Sequence, residues 1–146
     1  MTFEQIINEA TLVADARTKV AKSFKAYCIE TAIPQILKAH KALGYSHLFI
    51  YHDTRLFTGV NEACDAYECD RFSTRFTWDG ETFTAANAND ISFYDGVEYT
   101  DYQPVELDKL TFYGLLDCLP RMLAKLEKGT KEVQEKLQKS NNLMNV

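Results

Sequence analysis

The four cysteines and three histidines carry the most reactive side chains in this chain, and their spacing sets the first limits on its chemistry. Cys64 and Cys69 are five positions apart, a separation that neither a helix nor a strand brings onto one face. A metal or redox pair there would need an irregular loop. Cys28 and Cys118 stand alone, and the four together form no disulfide or zinc framework. The thiols are therefore read as free and the setting as reducing and cytoplasmic. His47 and His52 would point to opposite faces of one strand, so they are not a ready metal pair. His40 falls on the apolar side of a helical pattern and reads as a boundary residue. The sequence has no Gly-x-Gly-x-x-Gly, no phosphate-binding glycine loop, no His-Glu-x-x-His, no nucleophile elbow and no Cys-x-x-Cys. A hydrolase assembled in space from Cys64 or Cys69, His47 or His52 and an aspartate has no specific signal behind it. The expectation is a chain that is not an enzyme and carries no metal or cofactor.

Carboxylates and aromatic rings are more plentiful, and they follow a pattern. Thr77-Trp78-Asp79-Gly80-Glu81-Thr82-Phe83-Thr84 and Phe93-Tyr94-Asp95-Gly96-Val97-Glu98-Tyr99-Thr100 are near-copies, each reading as strand, Asp-Gly turn, strand. A two-residue turn at Asp79-Gly80 would set Trp78 opposite Glu81 and Phe76 opposite Phe83. Phe72, Thr74, Phe76, Trp78 and Phe83 would share one face, and Ser73, Arg75, Thr77, Thr82 and Thr84 the other. Ala85–Asp90 reads as the loop between the two hairpins. Asp79 and Asp95 lack the alternating oxygen ligands of an EF-hand.

Charge is unevenly placed along the chain. Residues 1–43 carry six basic and four acidic side chains, residues 44–104 three basic and eleven acidic, and residues 105–146 seven basic and six acidic. The excess acidity belongs to the β region alone. Direct binding of nucleic acid there is disfavoured, because phosphates must be met by Lys and Arg. A basic partner would be attracted, and Trp78, Asp79, Glu81, Tyr94, Asp95 and Glu98 are the residues expected to meet it. The plain alternative is a solvated surface that keeps the chain soluble.

The elements that must position these groups are legible from periodicity. Phe3, Ile6, Ala10, Val13, Arg17, Val20, Phe24, Tyr27 and Thr31 alternate by three and four, which predicts a helix over 2–31 with Thr2 as its cap. Arg17 interrupts the apolar line and either snorkels or pairs with an acid. Pro34 should end or bend this helix, with Thr31 capping a second helix that runs to Leu43 and stops at Gly44. Tyr45–Tyr51 and Leu56–Thr58 read as strands, and Asn61–Asp70 as a short helix. Phe112, Leu116, Leu119, Leu123, Leu126, Thr130, Val133 and Leu137 predict a last helix over 108–139, capped by Asp108 and kinked at Pro120, with a loose tail from Ser140. No apolar run is long enough to cross a bilayer, and the first residues lack the pattern of a signal peptide.

Together these readings predict one α+β domain: two long heptad-patterned helices bracketing an antiparallel β-meander of about six strands, with one short helix inserted. It divides into a helical arm (1–43), an acidic β region (44–104) and a C-terminal helix and tail (105–146). The leading functional expectation is a non-enzymatic interaction module that offers its acidic, aromatic sheet to a basic protein. One form is an inhibitor of a nucleic-acid-binding protein, of the kind found by analogy in phage counter-defence. A different class is a structural or assembly subunit that forms a homo-oligomer through Val13, Arg17, Val20, Phe24, Leu119, Leu123, Leu126 and Val133. A third is a small-molecule or nucleotide binder using the aromatic positions around Trp78.

Overall fold

A computed structural model describes residues 1–51, 73–95 and 97–146. The fold is α+β: an N-terminal helical rod, a four-stranded antiparallel sheet and a C-terminal helix. The expected strand at Leu56–Thr58 and short helix at Asn61–Asp70 lie outside the described residues.

Helix α1 spans Phe3–Tyr27 and begins with a reciprocal cap: Thr2 Oγ1 accepts from the Gln5 amide, and the Gln5 side chain accepts from the Thr2 amide. The rod does not end before Pro34. A π-helical turn over Cys28–Ala32 joins α1 directly to α2, Ile33–Ala42. In an α-helix the Pro34 ring would strike the Glu30 carbonyl, and the missing N–H would leave that carbonyl unpaired. The wider turn shifts bonding to five residues back, with the Ile33 amide donating to the Cys28 carbonyl. Thr31 is therefore inside the rod, exposed, and caps nothing; the residue before α2, Ala32, is itself helical. Gly44, at φ +102°, closes α2, and the Gly44 and Tyr45 amides donate to the carbonyls of Lys41 and His40.

Strands β1 (His47–Tyr51), β2 (Ser73–Trp78), β3 (Phe83–Tyr94) and β4 (Val97–Val105) follow in sheet order 1-2-3-4, all antiparallel. The six strands expected are four among the described residues. Ala85–Asp90 is not a loop but the middle of the twelve-residue β3, which serves both hairpins. An irregularity between Ala88 and Asp90 lets the two halves of β3 keep step with β4. Among the described residues the β2–β3 register ends at Thr74↔Asn87, and beyond Ala88 β3 pairs there with β4.

A 3₁₀ turn at Leu107–Lys109 leads into α3, Phe112–Met144. Thr111, not Asp108, is its cap: its hydroxyl accepts from the Gly114 amide at 3.0 Å. The helix runs through Pro120 and includes Ser140, so the tail expected to be loose is helical as far as Met144.

The core lies on one face of the sheet. Leu48, Ile50, Phe76, Phe83 and Ala85 pack against Ile33, Ile36 and Leu37 of α2 and Leu115, Cys118 and Met122 of α3, and Cys28 and Leu110 are buried in the same cluster. Thr74 and Asn87 stand opposite each other on the same face, and the threonine hydroxyl donates to the buried amide oxygen at 2.8 Å. The core-facing side of α3 is thus Leu115, Cys118 and Met122, rotated from the expected stripe, of which Leu116 and Leu123 are exposed.

Candidate functional site

Two places in the fold stand out: the sheet, where the acidic and aromatic positions lie, and the outlying halves of the helices. On the sheet, the two Asp-Gly dipeptides do different work. At the first turn Trp78 pairs with Phe83 and Phe76 with Ala85, two positions from the expected register. A shift of two preserves the faces, so Thr74, Phe76 and Phe83 are all core-facing as expected. The loop becomes Asp79–Thr82, and Asp79 is consumed in holding it. Its carboxylate accepts from the Glu81 and Thr82 amides, each at 2.8 Å, and from the Thr82 hydroxyl at 3.3 Å. These amide bonds hold its pKa below the usual carboxylate range. At the second turn Tyr94 pairs with Val97, and Asp95 stands at φ +51°, as the first position of a primed turn needs.

The six positions expected to meet a partner therefore form two groups. Trp78, Asp79 and Glu81 sit at one end of β3; Tyr94, Asp95 and Glu98 sit at the other. The twelve residues of β3 separate the groups by roughly 36 Å. Glu81 and Asp95 are exposed, while Trp78 is half-buried against the core.

The sheet face turned away from the helices carries a group that sequence reasoning missed. His47 and Phe49 meet edge to face at 4.5 Å, Phe49 lies 5.7 Å from Tyr102, and the Arg75 guanidinium sits 4.5 Å over the Tyr102 ring. Alternation along β1 could have paired His47 with Phe49, but the approach of Arg75 to Tyr102 depends on strands far apart in sequence.

The helical rods are the second place. Arg17 and Phe24 attach α1 to the start of α3. Arg17 Nε donates to the Tyr113 hydroxyl at 3.2 Å, and its guanidinium lies 5.0 Å from the Tyr113 ring and 5.8 Å from that of Phe112. Phe24 meets Phe112 edge to face at 5.8 Å. Further along, Cys28 lies near Cys118, and Tyr45 packs over Gly129 and donates to Glu132 at 3.0 Å. From Cys28 onward the contacts advance together along both rods, so α2 and α3 run in the same general direction, and the start of α1 and the end of α3 overhang the core at opposite ends. Residues 3–16 are exposed throughout, and α1 has no buried residue along its entire length. At the other overhang Leu137, Leu143 and Met144 are exposed.

The positions expected to serve oligomerisation divide accordingly. Val13, Val20 and Leu123 are exposed. Arg17 and Val133 are half-buried, and Phe24, Leu119 and Leu126 pack against the core.

Cys28 and Cys118 are buried thiols. Desolvation pushes Cys28 up to about 11 and drives Cys118 upward further, with Asp117 adding to the rise. Neither is poised as a nucleophile. His40, stacked on Tyr45 at 4.6 Å, has its pKa lowered by burial and by the Lys125 and His47 charges. Cys64, Cys69 and His52 lie outside the described residues. Among the described residues no group of three or more His, Cys, Asp or Glu side chains could hold a metal, and no helix is long and apolar enough to cross a membrane.

Comparison with family models, with curated proteins and with solved structures finds no match to this chain.

Proposed function

We propose that this chain is a non-enzymatic assembly protein, whose sheet and α2 form a body and whose overhanging helices dock on other chains. One observation carries the reading: α1 has no buried residue, yet displays Phe3, Ile6, Ile7, Leu12, Val13 and Val20 to solvent. A helix in a protein normally draws its stability from burying an apolar side, and an apolar stripe left in water is unfavourable by about 25 cal/mol for each Å² that could be covered. The heptad spacing of Phe3, Ile6, Val13 and Val20 suits a helical partner. The test is the mass of the particle formed by wild type and by Ile6→Asp/Val13→Asp and Leu123→Asp/Leu137→Asp variants, measured by light scattering and by co-purification from the native cell. Loss of assembly in either variant is expected. Assemblies unchanged in both would refute the reading.

A second reading rests on the exposed carboxylates of Glu81 and Asp95. In it a basic protein is captured at the ends of the sheet, as an inhibitor of a nucleic-acid-binding protein would do. Capture would then be salt-sensitive and abolished by Glu81→Lys/Asp95→Lys/Glu98→Lys, with the helix variants silent.

A further inference from the structure

The occupant of α1 can be specified further, on the footing of the assembly reading. Ile6, Val13, Val20 and Tyr27 recur every seven residues, and all four are between 50% and 61% exposed. They form a line along the whole helix, beside the side where Arg17 and Phe24 meet α3, so α3 leaves them open. The midpoint of this line falls between residues 16 and 17.

Charge divides at the same place. Glu4, Glu9 and Asp15 are the only charged residues of the first half; Arg17, Lys19, Lys22 and Lys25 are the only ones of the second. Two such helices in parallel would set acids beside acids and bases beside bases. Turned antiparallel about residues 16–17, each acidic half runs along a basic half, with Glu9 and Arg17 the charges nearest the apolar line, about 40° from it, and the others further round the helix. The same rotation faces Ile6 with Tyr27 of the other copy and Val13 with Val20. Apolar spacing and charge, two independent properties of the helix, mark one axis.

We propose that α1 pairs antiparallel with α1 of a second copy, about a two-fold axis at residues 16–17. The interface is self-complementary, so it closes at two chains, and it leaves the two bodies at opposite ends of the helix pair.

The test uses the full chain. Sedimentation equilibrium is expected to give a dimer, and Val13→Asp/Val20→Asp to weaken it by roughly a hundredfold or more, because the pairing would then bury unpaired carboxylates. Circular dichroism and thermal melting are read alongside, since none of these positions is in the core. Orientation is read from disulfides formed on mild oxidation, with the wild-type chain as control for its own thiols. Ala16→Cys, at the axis, is expected to cross-link. Gln5→Cys is not: its copies would lie about 35 Å apart at 1.5 Å per residue, against the Cα separation of under ~7 Å that a disulfide needs. A monomeric wild type, a dimer indifferent to the two aspartates, or efficient cross-linking through Gln5→Cys would each overturn the proposal. The assembly reading fails separately, when the aspartate variants keep every association of the wild type, including those with other proteins.

Discussion

Truncating Leu115 and Leu123 of α3 to alanine, one at a time, tests which side of that helix faces the core. Leu115 is fully buried. Its truncation removes three carbons from the interior, at about 0.8 kcal/mol each, or about 2.4 kcal/mol in transfer alone. The neighbouring Cys118 and Met122 are also at zero exposure and fixed by packing, so part of the space stays empty and the total should reach about 3–4 kcal/mol. Leu123 is 51% exposed. It loses about half the transfer energy, leaves no cavity and gains slightly in helix propensity, so about 1 kcal/mol or less is expected. Urea unfolding followed by circular dichroism resolves a gap of about 2 kcal/mol comfortably. Running each melt at two protein concentrations separates core effects from assembly. Equal losses, or a larger loss at Leu123, would mean that α3 presents the stripe through Leu116 and Leu123 to the sheet, and the packing argued above would be wrong.

Three further outcomes are expected. His40 has a depressed pKa in the fold, so the unfolded chain binds the proton more readily; its contribution to stability is complete above its unfolded value near 6.5 and is lost as pH falls through the folded value. Thermal melts from pH 7.5 down to 5 should show this decline, and His40→Gln should flatten it; an unchanged slope would remove His40 as its source. The two turns should respond differently to mutation. Asp79→Ala should speed hydrogen exchange at the Glu81 and Thr82 amides, which lose their acceptor, whereas Asp95→Val should destabilise by about 1–2 kcal/mol through its positive φ and Asp95→Asn should be tolerated. Protection of Glu81 and Thr82 persisting in Asp79→Ala would refute the carboxylate's role. Cys28 and Cys118 should resist alkylation at pH 8 in the folded chain and react in denaturant, as mass mapping would show; rapid native labelling of either would contradict its burial.

The features that the sequence disclosed are those decided by residues close together. Thr2 caps α1, and Gly44 closes α2, because each needs only its own turn of backbone. The faces of β2 were legible for the same reason: alternation survives a register shift of two. Pairing over distance was not. Nothing local told that Ala85–Asp90 continues a strand, since its alanines and asparagines gain their place only between β2 and β4. On α3, apolar residues occupy 115, 116, 118, 119, 122 and 123, wide enough for two overlapping stripes, and only the position of the sheet chooses between them. Pro34 falls in the first turn of α2, as its spacing predicts, but Thr31 caps nothing because the chain changes helix type there instead of breaking. The candidate partner-binding residues were visible one by one, but their separation to the two ends of β3 was not.

The π-helical turn at Cys28–Ala32 also works as a phase-setter. An α-helix advances each residue by about 100°, so one residue accommodated or removed in this turn would swivel everything before it by that angle relative to α2 and the sheet. The bearing of Ile6, Val13 and Val20 is therefore set by five residues outside α1. A single-codon deletion at Thr31 would redirect the arm's apolar line while leaving every side chain on it unchanged.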